Sequence, residues 1–95
     1  MNLFQFCNFS VFKGWIIQPD CADCWDFGYL GVGTENVCKT LADRWGLNWK
    51  GSVGTNSSLP KGCIWKGYND TYFNEAKEGM KQKGINCICY DPDTL

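Results

Sequence analysis

A chain of 95 residues with seven cysteines and a formal net charge of −1 is one small domain, and its core needs covalent help. So even a charge balance gives no electrostatic ground for binding nucleic acid or an anionic membrane surface, and no stretch approaches the roughly twenty apolar residues that span a bilayer. There is no histidine, so a Ser or Cys nucleophile lacks its commonest base, and no Asp or Glu sits in an apolar context suited to an acid role; the chain reads as non-catalytic.

Residues 1 to 18, MNLFQFCNFSVFKGWIIQ, form an extended apolar arm. Leu3, Cys7, Phe9 and Val11 fall on one side of an extended chain and Phe4, Phe6 and Phe12 on the other, so a strand here is apolar on both faces. The segment is a poor signal peptide, because polar residues interrupt the apolar run and no basic n-region precedes it. With Trp15 and Ile17 it makes a candidate assembly arm, added to the sheet edge of a neighbouring copy. Head-to-tail donation builds a fibre, and the competing expectation is a strand paired within its own domain.

Residues 19 to 95 form the cysteine-rich domain. Asp20 to Gly33 is a connector rich in cysteine, acid and glycine. Its Cys21-x-x-Cys24 pair fits disulfides best: a redox motif needs a following helix, and zinc needs a second pair, for which Cys87-Ile88-Cys89 is one residue tighter than usual. Asp20, Asp23 and Asp26 do not have the spacing of a calcium loop.

The first clear helix starts at Thr34 as N-cap, with Glu35 at the positive end of the dipole, and stops at Gly46. Val37, Cys38, Leu41, Ala42 and Trp45 recur at helical spacing as its apolar face. Asn48 to Ser58 reads as a loop, with Trp49 as the exposed tryptophan. Leu59-Pro60-Lys61-Gly62 is a turn that feeds the strand Cys63 to Lys66, which pairs with Thr71 to Phe73 across Gly67 to Asp70. Asn74 to Gly84 has the caps of a short helix, with Gly79 as a weakness and Lys77, Lys81 and Lys83 as a solvated face. Ile85 to Tyr90 alternates as a strand before Pro92.

The fold class that follows is α+β: a small disulfide-stabilised domain with an antiparallel sheet on one main helix. Cys38 on the helix face and Cys63 at the strand start point to one core and are expected to bridge. Cys87 and Cys89 share a strand face and are expected to reach the Cys21 to Cys24 segment. Cys7 is left over, free or paired between chains. Eight Asn and nine Ser or Thr would give roughly 0.8 glycosylation motifs by chance, yet three occur, at Asn8, Asn56 and Asn69.

The series of core cysteine with Ala42-Asp43-Arg44-Trp45-Gly46-Leu47, then Leu59-Pro60-Lys61-Gly62-Cys63, Tyr72-Phe73-Asn74 and Cys87-Ile88-Cys89 resembles small cysteine-rich domains in extracellular and surface proteins of algae and other protists, over residues 21 to 90. The resemblance implies an extracellular disulfide-stapled module and no activity, and its strand end at Tyr72 to Asn74 competes with the short helix. The function expected is a non-enzymatic extracellular structural glycoprotein that self-associates as a homo-oligomer or fibre and carries N-linked glycans. A carbohydrate-binding module using exposed tryptophan and tyrosine side chains, drawn from five tryptophans and four tyrosines, is the alternative; a minor surface or capsid component of an algal virus is a further one. No metal or other cofactor is expected.

Overall fold

The computed structural model describes residues 14 to 94. Six strands form one sheet: β1 (Trp15–Gln18), β2 (Leu30–Gly31), β3 (Asn48–Ser52), β4 (Gly62–Lys66), β5 (Asp70–Asn74) and β6 (Ile85–Tyr90). One α-helix, α1 (Glu35–Trp45), lies between β2 and β3, and short 3-10 turns cover Cys24–Phe27 and Pro92–Thr94. The sheet order is β1-β6-β4-β5-β3. β1 and β2 both pair with Cys89 and Tyr90, so they occupy opposite edges of β6, and β2 shares its edge with β4.

The sheet is mostly antiparallel. The exception is β3, which runs parallel to β5 with a register shift between Trp49 and Gly51. This corrects two expectations: Asn48 to Ser52 is a strand, and Trp49 is half-buried against the helix core. The remainder of that segment stays irregular.

Helix α1 ends where its caps place it. Thr34 Oγ1 accepts the Val37 N–H at 3.2 Å. Gly46 adopts φ 72, a left-handed conformation natural to glycine, and the Leu47 N–H returns to the Ala42 carbonyl. Cys38, Leu41 and Ala42 are the buried stripe. Val37, expected on that stripe, lies exposed at its border, because the contact with the sheet is centred on positions 38, 41, 42 and 45.

The two faces of β6 serve two cores. Ile88 points to the helix side, with Val32, Cys38, Leu41, Cys63 and Phe73. Cys87 and Cys89 point to the other, where Cys21 and Cys24 pack with Ile16 and Tyr29. Period-two alternation along one strand thus sorts Cys87 and Cys89 from Ile88.

Trp15 and Ile17 correct the expectation for the arm. They lie in β1, paired antiparallel with β6 of the same chain, so residues 15–18 belong to the domain's own sheet. Trp15 meets Tyr90 edge to face at 4.9 Å, and the Gly14 carbonyl accepts the Asp91 N–H. Leu3, Phe4, Phe6, Cys7, Asn8, Phe9, Val11 and Phe12 fall outside the described residues.

The short helix after Asn74 is also corrected. Residues 75–84 run without helix, laid against residues 58–61: the Met80 N–H donates to Leu59 O, and Gln82 Nε2 donates to Ser58 O. A Cβ on Gly79 would fall on the Lys61 backbone nitrogen and on the carbonyls of Ala22 and Leu59, at 2.7 and 2.8 Å for the two oxygens. That close crossing of three segments replaces helical hydrogen bonds. Asn74, expected as an N-cap, instead knots the crossing. Its Oδ1 accepts from the N–H groups of Asn56 and Ala76, and its Nδ2 donates to the carbonyls of Asn56, Leu59 and Pro60.

Candidate functional site

The chemistry-bearing residues fall into three places: the bridges, the glycosylation motifs, and a cleft beside the Cys24 turn. Three disulfides join Cys21 to Cys87, Cys24 to Cys89 and Cys38 to Cys63. The domain is therefore a small cysteine-rich fold held by three cross-links, and all six cysteines lie in its two cores. Among the described residues no helix is long and apolar enough to cross a membrane.

The turn at Cys24–Phe27 is built to hold its side chains out. Asp23 caps it, with Oδ1 accepting the Trp25 N–H at 3.1 Å, and Gly28 closes it at φ 79. Cys24 anchors it inward through the bridge to β6. The next residue, Trp25, is then 71% exposed, with Phe27 and Leu30 also at the surface. A tryptophan this open on a backbone cross-linked at its neighbour is a rigid apolar platform facing water. Trp15, Trp45, Trp49 and Trp65 all pack partly on the helix core instead.

Trp25 borders a cleft of about 440 Å³ lined also by Asp23, Tyr29, Leu30 and Lys61. A second cleft, of about 450 Å³, shares Val32, Gly33, Lys61 and Gly62 with it and adds Glu35 and Glu75. Gly62 sits at φ 88, and a Cβ there would lie 3.6 Å from the Val32 carbonyl, so glycine keeps this shared strip low. The combination is an aromatic face, carboxylates and an ammonium around two open depressions. It can stack on one apolar ring face and hydrogen-bond to several hydroxyls; it contains no nucleophile paired with a base.

The sequence reasoning missed Trp25. A usable signal was present, since Asp23 and Asp26 flank the pair Cys24-Trp25 and favour a water-facing turn. Tyr68, 96% exposed at the tip of the β4–β5 hairpin, is likewise not singled out among the four tyrosines by sequence. Its own backbone carbonyl accepts the Trp65 indole N–H.

The two described glycosylation motifs differ. Asn56 is half-buried and forms an Asx turn: Oδ1 accepts the Ser58 N–H at 3.0 Å and the Ser58 hydroxyl at 2.6 Å. Asn69 is exposed in the hairpin turn, whereas Thr71 of the same motif has no exposed surface, and its hydroxyl is the one buried side-chain oxygen without a partner among the described residues. Asn69 thus stands in water, while the hydroxyl an enzyme would read beside it is sealed in the sheet.

Comparison with family models, with curated proteins and with solved structures gives no match. The resemblance to algal and protist surface domains draws no support from them, and the three bridges stand on the fold alone.

Proposed function

We propose that this chain is a non-catalytic, extracellular binding module whose ligand is carbohydrate. Trp25 is the stacking surface, and Asp23 and Lys61 are the hydrogen-bonding groups. The observation that carries this reading is the exposure of Trp25 on a cross-linked turn beside a polar cleft. Burial is the ordinary fate of tryptophan in a chain this small, so an outward, rigidly held one is a recognition feature. Three disulfides suit an oxidising compartment, and the resemblance to secreted protist domains points the same way.

The test is calorimetric titration with a panel of neutral and acidic oligosaccharides. At least one is expected to bind, and Trp25→Ala should weaken it about tenfold, the upper range for one aromatic contact, with no loss of thermal stability. Absence of binding across the panel, or equal affinity of the variant, overturns the reading.

A self-associating structural glycoprotein is the second reading. The strand order favours it, since among the described residues β1 and β3 end the sheet and each has an outer edge able to accept another strand. The donor is the apolar segment of residues 3 to 12, seated on the β3 edge of a neighbouring copy. Deleting residues 1 to 12, which spares β1, should abolish assembly seen by sedimentation and leave a folded monomer; unchanged sedimentation refutes it. Glycans at Asn8, Asn56 and Asn69 belong to either reading, and mass loss on glycosidase treatment of secreted protein tests them.

A further inference from the structure

Four of the six described cysteines meet in one place. Cys21 and Cys24 enter from the connector, Cys87 and Cys89 from one face of β6, and all four are at most 2% exposed. The Sγ atoms of Cys21, Cys24 and Cys89 lie within 4.8 Å of one another, and Cys87 is bonded to Cys21. Tetrahedral zinc with four thiolates at about 2.3 Å holds its sulfurs roughly 3.8 Å apart, so each bonded pair must open on reduction, while the three clustered sulfurs already stand within reach of one ion. The third bridge, Cys38–Cys63, belongs to the other core, across the sheet.

We propose that the reduced protein binds one zinc ion through Cys21, Cys24, Cys87 and Cys89, so that the same four sulfurs tie the connector to β6 in either redox state. Two residues between Cys21 and Cys24 is the usual spacing of a zinc-binding pair. Cys87 and Cys89 are one residue tighter, which a turn would not tolerate. On a strand, however, positions i and i+2 project to the same side about 6.7 Å apart along the backbone, a span that two zinc–sulfur bonds of about 2.3 Å can close once rotation about χ1 turns each freed sulfur toward the ion. The sheet supplies the geometry that a longer spacer supplies elsewhere.

The chemistry balances. Each disulfide accepts two electrons and two protons from a dithiol reductant, which becomes a disulfide itself. Zinc then binds four sulfurs and releases four protons to water, leaving a site of charge −2. Reoxidation by two equivalents of a disulfide oxidant, which take up four electrons from the thiolates and four protons from water and leave as dithiols, forms the two S–S bonds again and releases Zn2+. Because binding and folding are coupled at such sites, the metal does not require a preformed apo fold. Nothing here depends on what the cleft beside Trp25 binds.

The experiment reduces the full chain under nitrogen with a phosphine, adds zinc chloride, removes excess metal by gel filtration, and counts zinc by elemental analysis and native mass spectrometry. One zinc per chain is expected, and cobalt in its place should give the intense visible bands and sulfur charge transfer of a tetrahedral thiolate site. The pair Cys38→Ser and Cys63→Ser should leave stoichiometry and affinity unchanged, whereas Cys24→Ser or Cys89→Ser should weaken binding at least a hundredfold. The proposal is overturned if the reduced chain holds no metal after gel filtration. It is equally overturned if all variants bind alike, or if the urea-unfolded chain binds as tightly as the chain in buffer, since either shows thiols acting without the fold.

Discussion

The bridges Cys21–Cys87 and Cys24–Cys89 connect the same two segments, so their contributions to stability should overlap strongly. Either bridge alone closes a loop spanning about 66 residues, which removes about 4.4 kcal/mol of denatured-chain entropy at 25 °C in the loop-closure model. Once one is in place, the other closes a ring of only about five residues and adds about 2 kcal/mol. Cys24→Ala with Cys89→Ala should therefore cost about 2 kcal/mol, as should the corresponding pair at Cys21 and Cys87. Removing all four should cost about 6.5 kcal/mol, well above the sum of the two pairs and comparable to the whole stability of a small domain. For a domain of this size the first figure is a fall in Tm of about 8 to 16 °C. Circular-dichroism melts and urea titrations of the three variants, without metal, measure this. If one pair already costs about 4 kcal/mol or more, or if the two pairs add up to the fourfold variant, the nested-loop reasoning is wrong.

Asn74→Asp should lower stability by about 2 to 4 kcal/mol in urea titration, because a carboxylate cannot donate to the carbonyls of Asn56, Leu59 and Pro60 that the amide now satisfies; a neutral outcome would mean that water fills that role. Thr71→Val should be neutral or stabilising by up to about 1 kcal/mol, since it removes an unpaired buried hydroxyl at constant shape, and a clear loss of stability would reveal a partner for that hydroxyl. The same variant destroys the Asn69 motif, so secreted material should lose one glycan by mass. Gly79→Ala should destabilise by more than about 1 kcal/mol, because the added methyl meets backbone from two other segments; an unchanged urea midpoint would contradict that crossing.

Helix α1, the β4–β5 hairpin and β6 were legible because their signals are local. Thr34 and Gly46 cap within a few residues, and alternation in Ile85–Tyr90 needs no partner to be read. The bridge between Cys38 and Cys63 follows from the same logic, since each residue's face is set by its own element. What was not legible depends on distant chain. Residues 74 to 84 carry fitting helix caps, yet Asn74 is claimed by carbonyls fifteen or so residues upstream and Gly79 by backbone contact with Lys61. β3 lacks an alternating apolar pattern, and its parallel pairing with β5 reaches across the whole of β4. Trp25 escaped notice because five tryptophans compete for a small core, and only the bent, cross-linked turn decides which one stays outside.

The twin bridges also decide how the domain would respond to tension. Residues 21 and 87 sit with their Cα atoms 5.8 Å apart, and the strand preceding Cys21 lies antiparallel to the one containing Cys87. A pull applied at residues 14 and 94 would unzip β1 from β6, starting at the Trp15–Tyr90 end, and then stop at covalent bonds, having released about fifteen residues, or roughly 50 Å of chain. The chain between Cys24 and Cys87, helix α1 included, stays outside the force path. Cutting the two bridges would let roughly 140 Å more unravel, since Cys38–Cys63 still holds its loop closed, so the domain behaves as a short tether with a chemical release.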